Sequence, residues 1–170
     1  MNATVVGVGI ALVAASLALA VDVQFSLPGP RLNISPSIPV GMYWFTPQRS
    51  GFRVGETVVA CFDGADAAYM RRVSDLGPGS CPSGIEPAAK VLAAAAPDVV
   101  TFAREGVRVN GELWPQSRAV PPARPLLGTI TLAPGQVLLM GRHPLSADGR
   151  LLGITPDRVL IGTWRPLVVL

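Results

Sequence analysis

Hydrophobic and polar positions divide this chain into two unlike parts. Residues 3–21, Ala-Thr-Val-Val-Gly-Val-Gly-Ile-Ala-Leu-Val-Ala-Ala-Ser-Leu-Ala-Leu-Ala-Val, contain no charged side chain, and Asp22 ends the run. As a helix, nineteen residues span roughly 28 Å, about the hydrocarbon thickness of a bilayer. The pattern predicts a transmembrane anchor over residues 1–22. The alternative is a cleaved signal peptide, since Ala18-Leu19-Ala20 has the small-x-small form of a cleavage site. The anchor is preferred, because Met1-Asn2 offers no basic side chain and the run is long for the apolar part of a signal peptide. Either way the remaining chain is expected to be exported.

Beyond Asp22 the pattern is that of short β segments broken by Pro and Gly. Residues 23–33 are expected to be extended, with Pro28-Gly29-Pro30 among them. Strands are predicted at residues 42–45, 57–62, 99–102, 107–109, 129–132, 136–140 and 159–161. Asn110-Gly111 is a hairpin signal leading into Glu112-Leu113-Trp114. Residues 65–76 predict a short helix with Asp63 or Asp66 as its cap. Residues 77–86 read as a Gly/Pro/Ser loop, and residues 115–125, with four prolines, as an irregular excursion. There is no long amphipathic helix, no repeat and no regular βαβ spacing, which argues against a parallel sheet. The expected fold is mainly β: one antiparallel domain over residues 23–170, behind one N-terminal helix.

Composition narrows the function classes. A chain of 170 residues suits one domain with a sizeable core. The net charge of +3 is scattered, and Arg71-Arg72 is the only adjacent basic pair, so nucleic acid is not an expected partner. His143 is the only histidine, and no set of zinc-type ligands accompanies it, so neither a metal nor another cofactor is expected. Cys61 and Cys81 are the only cysteines; in an exported domain they are expected to form a disulfide.

The candidate chemistry begins with a count. The chain has thirteen arginines and one lysine, Lys90, which lies in the apolar setting Ala88-Ala89-Lys90-Val91-Leu92-Ala93-Ala94. Arginine keeps its proton near neutral pH, whereas a buried lysine can lose it. Upstream, Ser35 and Ser37 stand on a proline-stiffened turn, Asn33-Ile34-Ser35-Pro36-Ser37-Ile38-Pro39. A desolvated, uncharged amine can take a serine proton and so activate the oxygen as a nucleophile. A coding bias that leaves one lysine by chance, and an ordinary Ser/Pro turn, are the plainer readings of these two features.

Residues 35–43, Ser-Pro-Ser-Ile-Pro-Val-Gly-Met-Tyr, resemble the S-x-S-(M/I/L)-P-x-G-x-Y box of TraF-type conjugative transfer peptidases, relatives of type I signal peptidases. Residues 90–98 resemble the lysine box of that superfamily, K-R-x-x-x-x-P-G-D. Residues 140–153 resemble its third box, M-G-x-x-x-x-S-x-D-S-R-x-x-G. The boxes fall in the family's order, and with the N-terminal anchor they cover most of the chain. The two cysteines between the first and second boxes also resemble the TraF branch. Three departures stand out: Val91 follows the lysine in place of Arg, Ala96-Pro97-Asp98 replaces Pro-Gly-Asp, and Gly149 replaces the serine before Arg150.

The resemblance implies roles residue by residue. Ser37 falls at the nucleophile, with its N–H in the oxyanion hole, and Lys90 at the general base. Ser35 falls where a hydroxyl completes the oxyanion hole and Ser146 where a hydroxyl orients the lysine. Asp148 and Arg150 fall at a structural pair beside the site. A Ser–His–Asp triad using His143 with Asp148 or Asp98 is a rival arrangement, as is Cys61 or Cys81 paired with His143. Trp44, Trp114 and Trp164 are expected in the core or at a membrane interface.

The expected function is a serine endopeptidase with a Ser–Lys dyad. It would sit as a single-pass protein in the inner membrane, with its catalytic domain in the periplasm and an exported precursor protein as substrate. The resemblance implies a pilin precursor, with cyclisation as one outcome. A general type I signal peptidase is the alternative within enzymes. A non-catalytic envelope or pilus-assembly scaffold is the alternative of another class.

Overall fold

The computed structural model describes residues 27–74, 76–120 and 126–170. The expected anchor over residues 1–22 lies outside them. Among the described residues, no helix is long and apolar enough to cross a membrane.

Two antiparallel sheets carry the fold. The larger contains β1 (Gly29–Asn33), β2 (Gly41–Pro47), β3 (Thr57–Ala60), β4 (Ala88–Ala95), β9 (Gln136–Met140), β10 (Thr155–Pro156) and β11 (Leu160–Val169). Their order across the sheet is β1-β2-β11-β3-β4-β9-β10. The smaller contains β5 (Val99–Ala103), β6 (Gly106–Val109), β7 (Glu112–Leu113) and β8 (Gly128–Thr131), in the order β7-β6-β5-β8. Every pairing among the described strands is antiparallel, as the missing βαβ spacing implied. Asn110 and Gly111 turn the β6–β7 hairpin with φ of 51° and 88°, the left-handed pair that a two-residue turn of this kind requires.

Strands β3, β4 and β9 are buried on both sides. Val58, Leu92 and Leu139 pack into one cluster with Phe62 and Met70, under the helix α1 (Gly64–Val73). Ala93, Leu138 and Met140 pack into a second with Val100 and Val107 of the smaller sheet. Val59 and Val91 join a third with Ile38, Tyr43, Phe45 and Trp164. Two-sided burial erases the apolar–polar alternation by which a strand is recognised. The valine- and leucine-rich runs of β3 and β9 are recognisable even so, whereas β4, a run of alanines of low β propensity, is a strand that the patterning did not reveal.

Other boundaries moved for local reasons. Residues 29–33, expected only to be extended, form an edge strand paired with β2 from Gly29↔Phe45 to Asn33↔Gly41. Strand β11 runs far past the predicted residues 159–161; Pro166 falls at a register shift, where a missing N–H costs no ladder bond. Helix α1 stops at Val73, because Ser74 closes back on Met70 O through both its N–H and its hydroxyl. Asp63 takes the N-cap position but its side chain makes no cap bond; its Oδ2 accepts from Arg158 Nη2 at 3.3 Å. Cys61 and Cys81 are joined in a disulfide that ties the end of β3 to the 77–86 loop.

Candidate active site

Three segments remote in sequence meet at one point. The first is the loop of residues 34–40 between β1 and β2. Asn33, the last residue of β1, is buried beneath it. Its Nδ2 donates to the carbonyls of Ser35 (2.8 Å), Ile38 (3.2 Å) and Pro39 (2.9 Å), and its Oδ1 accepts from Ser35 N at 3.2 Å. The Tyr43 hydroxyl also donates to Pro39 O, at 2.6 Å. Ile38 turns into the third core cluster. At Gly41, where the loop becomes β2, φ is 155° and an added Cβ would lie 2.8 Å from Val169 Cα. Only glycine fits against β11 there, which accounts for the glycine of the serine box. Ser37 is left half-buried, and its carbonyl accepts from Arg142 N at 2.7 Å.

The second segment is β4. Pairing with β3 sets Lys90 opposite Val58, and only 4% of its side chain is exposed. The third is the turn after β9, where Ser146 N donates to His143 O at 3.0 Å. Lys90 Nζ lies 2.9 Å from Ser37 Oγ and 2.9 Å from Ser146 Oγ, and the two hydroxyl oxygens are 3.1 Å apart. None of the described carboxylates forms an ion pair with this amine. Burial pulls its pKa from the ordinary 10.5 to about 8; the negative charge of Asp148 opposes the shift and the positive charge of Arg150 adds to it.

Asp148 and Arg150 brace the turn. Asp148 Oδ1 accepts from Arg150 N and Nε, and its Oδ2 from Arg150 Nη2 and, at 2.6 Å, from Gly141 N. Both side chains are almost wholly buried. Arg150 Nη1 spends its protons on the carbonyls of Gln116 and Pro144. An added Cβ at Gly141 would collide with the Ser146 side chain, so this glycine lets Ser146 approach Lys90. At Gly149 an added Cβ would lie 2.5 Å from Leu138 Cδ1 and 2.9 Å from Leu139 O. The departure from serine at that position matches the space available. The departure at residues 96–98 is likewise accommodated: Asp98 accepts from Ala95 N at 3.0 Å and from Asn110 Nδ2 at 2.8 Å, closing the β4–β5 turn.

The rival arrangements do not assemble. His143 Nδ1 accepts from Leu145 N within its own turn, Asp148 is saturated by Arg150 and Gly141, and Asp98 belongs to the β4–β5 turn. The cysteines carry no thiol. Ser35 Oγ lies 3.4 Å from Ser37 N on the exposed side of the loop. Trp164 is a core residue stacked on Tyr43, with ring centroids 5.3 Å apart. Trp114 packs against the second and third clusters and donates to Gly141 O at 3.2 Å, whereas Trp44 is 42% exposed on the outer side of β2.

Residues 1–168 match the family described as signal peptidase, peptidase S26. The chain belongs to that family. A plasmid transfer protein TraF of Escherichia coli is 37% identical over 155 residues, covering 82% of this chain and 83% of that protein. A second Escherichia coli protein of the same name is 32% identical over 157 residues, covering 84% of each. As an S26 member the chain is a serine peptidase of signal-peptidase type, and its substrate is a protein. The roles of Asn33, Gly141 and Trp114 escaped the sequence reading. One signal was available for Asn33: a loop with two prolines has more carbonyls than N–H groups, and a neighbouring carboxamide can make up the difference.

Proposed function

We propose that Ser37 and Lys90 form the Ser–Lys dyad of a membrane-anchored endopeptidase that processes an exported precursor protein. The observation that carries this reading is a buried amine with a pKa of about 8, without a carboxylate partner, in hydrogen-bond contact with a serine hydroxyl. Uncharged Lys90 accepts the Ser37 proton as Oγ bonds to the scissile carbonyl carbon. The carbonyl oxygen gains the electron pair, and the Ser37 N–H and the Ser35 hydroxyl stabilise it. Lys90 passes its proton to the leaving amine as the C–N bond breaks, leaving an ester on Ser37. Water then attacks the ester, gives a proton to Lys90, and releases product as the proton returns to Ser37. Ser146 orients the amine, and Asp148 with Arg150 holds the turn that presents Ser146.

Similarity to the two plasmid transfer proteins supports a conjugative role, with a pilin precursor as substrate. In a second outcome of this reading, the pilin's own amino terminus replaces water in resolving the ester, giving a cyclic product. The uncharged run of residues 3–21 supports a single span in the inner membrane, with residues 23–170 as the periplasmic peptidase domain; the disulfide suits that compartment. Exposed Leu32, Met42, Trp44 and Val168 on neighbouring strands β1, β2 and β11 support a domain lying against the bilayer.

The test is processing of a membrane-inserted pilin precursor. Ser37→Ala, Lys90→Ala and Lys90→Arg are each expected to leave it uncut, since a guanidinium keeps its proton. Substantial cleavage by Lys90→Arg would overturn the dyad. The mass of the product separates hydrolysis from cyclisation, because the linear form is heavier by one water.

A further inference from the structure

Asn33 lies outside the serine box and hydrogen-bonds to neither Lys90 nor Ser146, yet its side chain is the interior of the loop that carries Ser35 and Ser37. Residues 34–40 have seven carbonyls but, with Pro36 and Pro39 among them, only five N–H groups. One carboxamide serves three of those carbonyls and one of the N–H groups. A buried polar group left without a partner costs roughly 1–3 kcal/mol, so the shape of the loop depends on this residue. Drawing the carbonyls of Ser35, Ile38 and Pro39 toward one inner point leaves the Ser37 N–H and the Ser35 hydroxyl together on the exposed side.

We infer that Asn33 is a positioning residue for the oxyanion hole: its carboxamide, bonded to Ser35, Ile38 and Pro39, sets where the Ser37 N–H and the Ser35 hydroxyl point. The inference rests on the assignment of Ser37 and Ser35 proposed above. It predicts a separation of effects. Removing the carboxamide weakens binding of the transition state, in which the carbonyl oxygen carries charge. It leaves the uncharged ground state and the titration of Lys90 as they are.

The test uses the full-length protein in detergent, a peptide substrate, and a peptide boronic acid. The boron bonds to Ser37 Oγ, and one of its oxygens occupies the oxyanion position. In Asn33→Ala, kcat is expected to fall about 10²-fold, the size of effect seen when one oxyanion donor is lost, with KM within about threefold. Boronate affinity should fall in step, the cleaved product peptide should bind as before, and the midpoint of the pH profile should not move. Activity within about threefold of the wild type, or equal losses for boronate and product peptide, would overturn the inference. Asn33→Asp carries the test if the alanine variant does not fold. It matches the native volume and keeps the acceptor for Ser35 N, and its protonated carboxyl still donates, whereas its carboxylate would face three carbonyls. Its kcat profile should therefore turn down on the alkaline side, where the wild type stays level; a profile parallel to the wild type would again overturn the inference. Ser37→Ala separates the two failures. If that variant still cleaves, the dyad is wrong; if it is dead while both Asn33 variants behave as wild type, only the role of Asn33 is wrong.

Discussion

In the proposed dyad, Lys90 has conflicting duties in catalysis and in folding. Its amine sits where water would otherwise hold the proton on, and burial brings its pKa to about 8. At pH 7 roughly one molecule in ten has the uncharged amine that the proposed chemistry needs. Activity should therefore rise about tenfold per pH unit on the acid side and level off above about pH 8 to 9. A flat profile of kcat/KM from mildly acidic to alkaline pH would contradict this. The same shift governs stability. The unfolded chain holds the proton up to the ordinary value of 10.5, so between about pH 8 and 10.5 the unfolded state binds more protons and stability rises with pH. Below about pH 8 the full cost of the buried charge is present, on the order of 3 kcal/mol. Replacing the residue by an apolar one of similar length removes that cost. Lys90→Met is expected to be inactive and to melt several degrees higher than the wild type at pH 7, with the gain shrinking as the pH is raised toward 10. Thermal unfolding at two pH values decides it. Nothing in the order of residues states that pKa. The surplus of arginine made Lys90 conspicuous, but its burial comes from β3 and from a turn some fifty residues further along.

At the scale of elements, legibility followed local composition: β3 and β9, buried on both faces, were still read from their valine- and leucine-rich runs. The β6–β7 hairpin was plain, because Asn110-Gly111 encodes its turn locally. Strand β2 was plain as well, as the short aromatic-rich run Met42-Tyr43-Trp44-Phe45 bounded by Gly41 and Pro47. Strand β4 was hidden: its neighbours β3 and β9 and the clusters on both faces, not its alanines, make it a strand. The serine loop was legible as a motif, but not as a structure, because the donors completing it come from Asn33 and Tyr43 at its edges. The disulfide, expected from the sequence, joins the end of β3 to the loop leading to β4. It closes a loop of 20 residues, for which chain entropy gives about 3 kcal/mol. Cys61→Ser with Cys81→Ser should therefore lower the unfolding free energy by about that amount, measured by denaturant titration. Because Lys90 lies on the strand that this loop feeds, loss of activity should track loss of folded protein, with unchanged kcat per folded molecule. Two free thiols in the unreduced wild-type protein would remove the basis of the prediction.

Across the whole molecule, the outer side of β1, β2 and the end of β11 breaks the usual rule for a solvated sheet face. Cross-strand register puts Leu32 beside Met42 and Met42 beside Val168, with Trp44 next along between Pro30 and Arg165. Leu32 is 70% exposed and Val168 is 62% exposed, so the patch is contiguous and open. The proposed bilayer contact uses this face. Leu32→Asp with Trp44→Asp should slow cleavage of a membrane-embedded precursor by about tenfold or more, an effect of the size expected when buried apolar contacts are lost, while leaving a soluble peptide cut as before. Equal effects on both substrates would refute the contact. The order of strands in the larger sheet has a further meaning. Strand β11 comes after every other described strand, yet it lies in the middle, between β2, which follows the serine loop, and β3, which borders the lysine strand. Without residues 160–169 there is no continuous sheet to hold Ser37 against Lys90. In the proposed topology, a chain still threading through the export machinery would therefore be a protease whose site is not yet assembled.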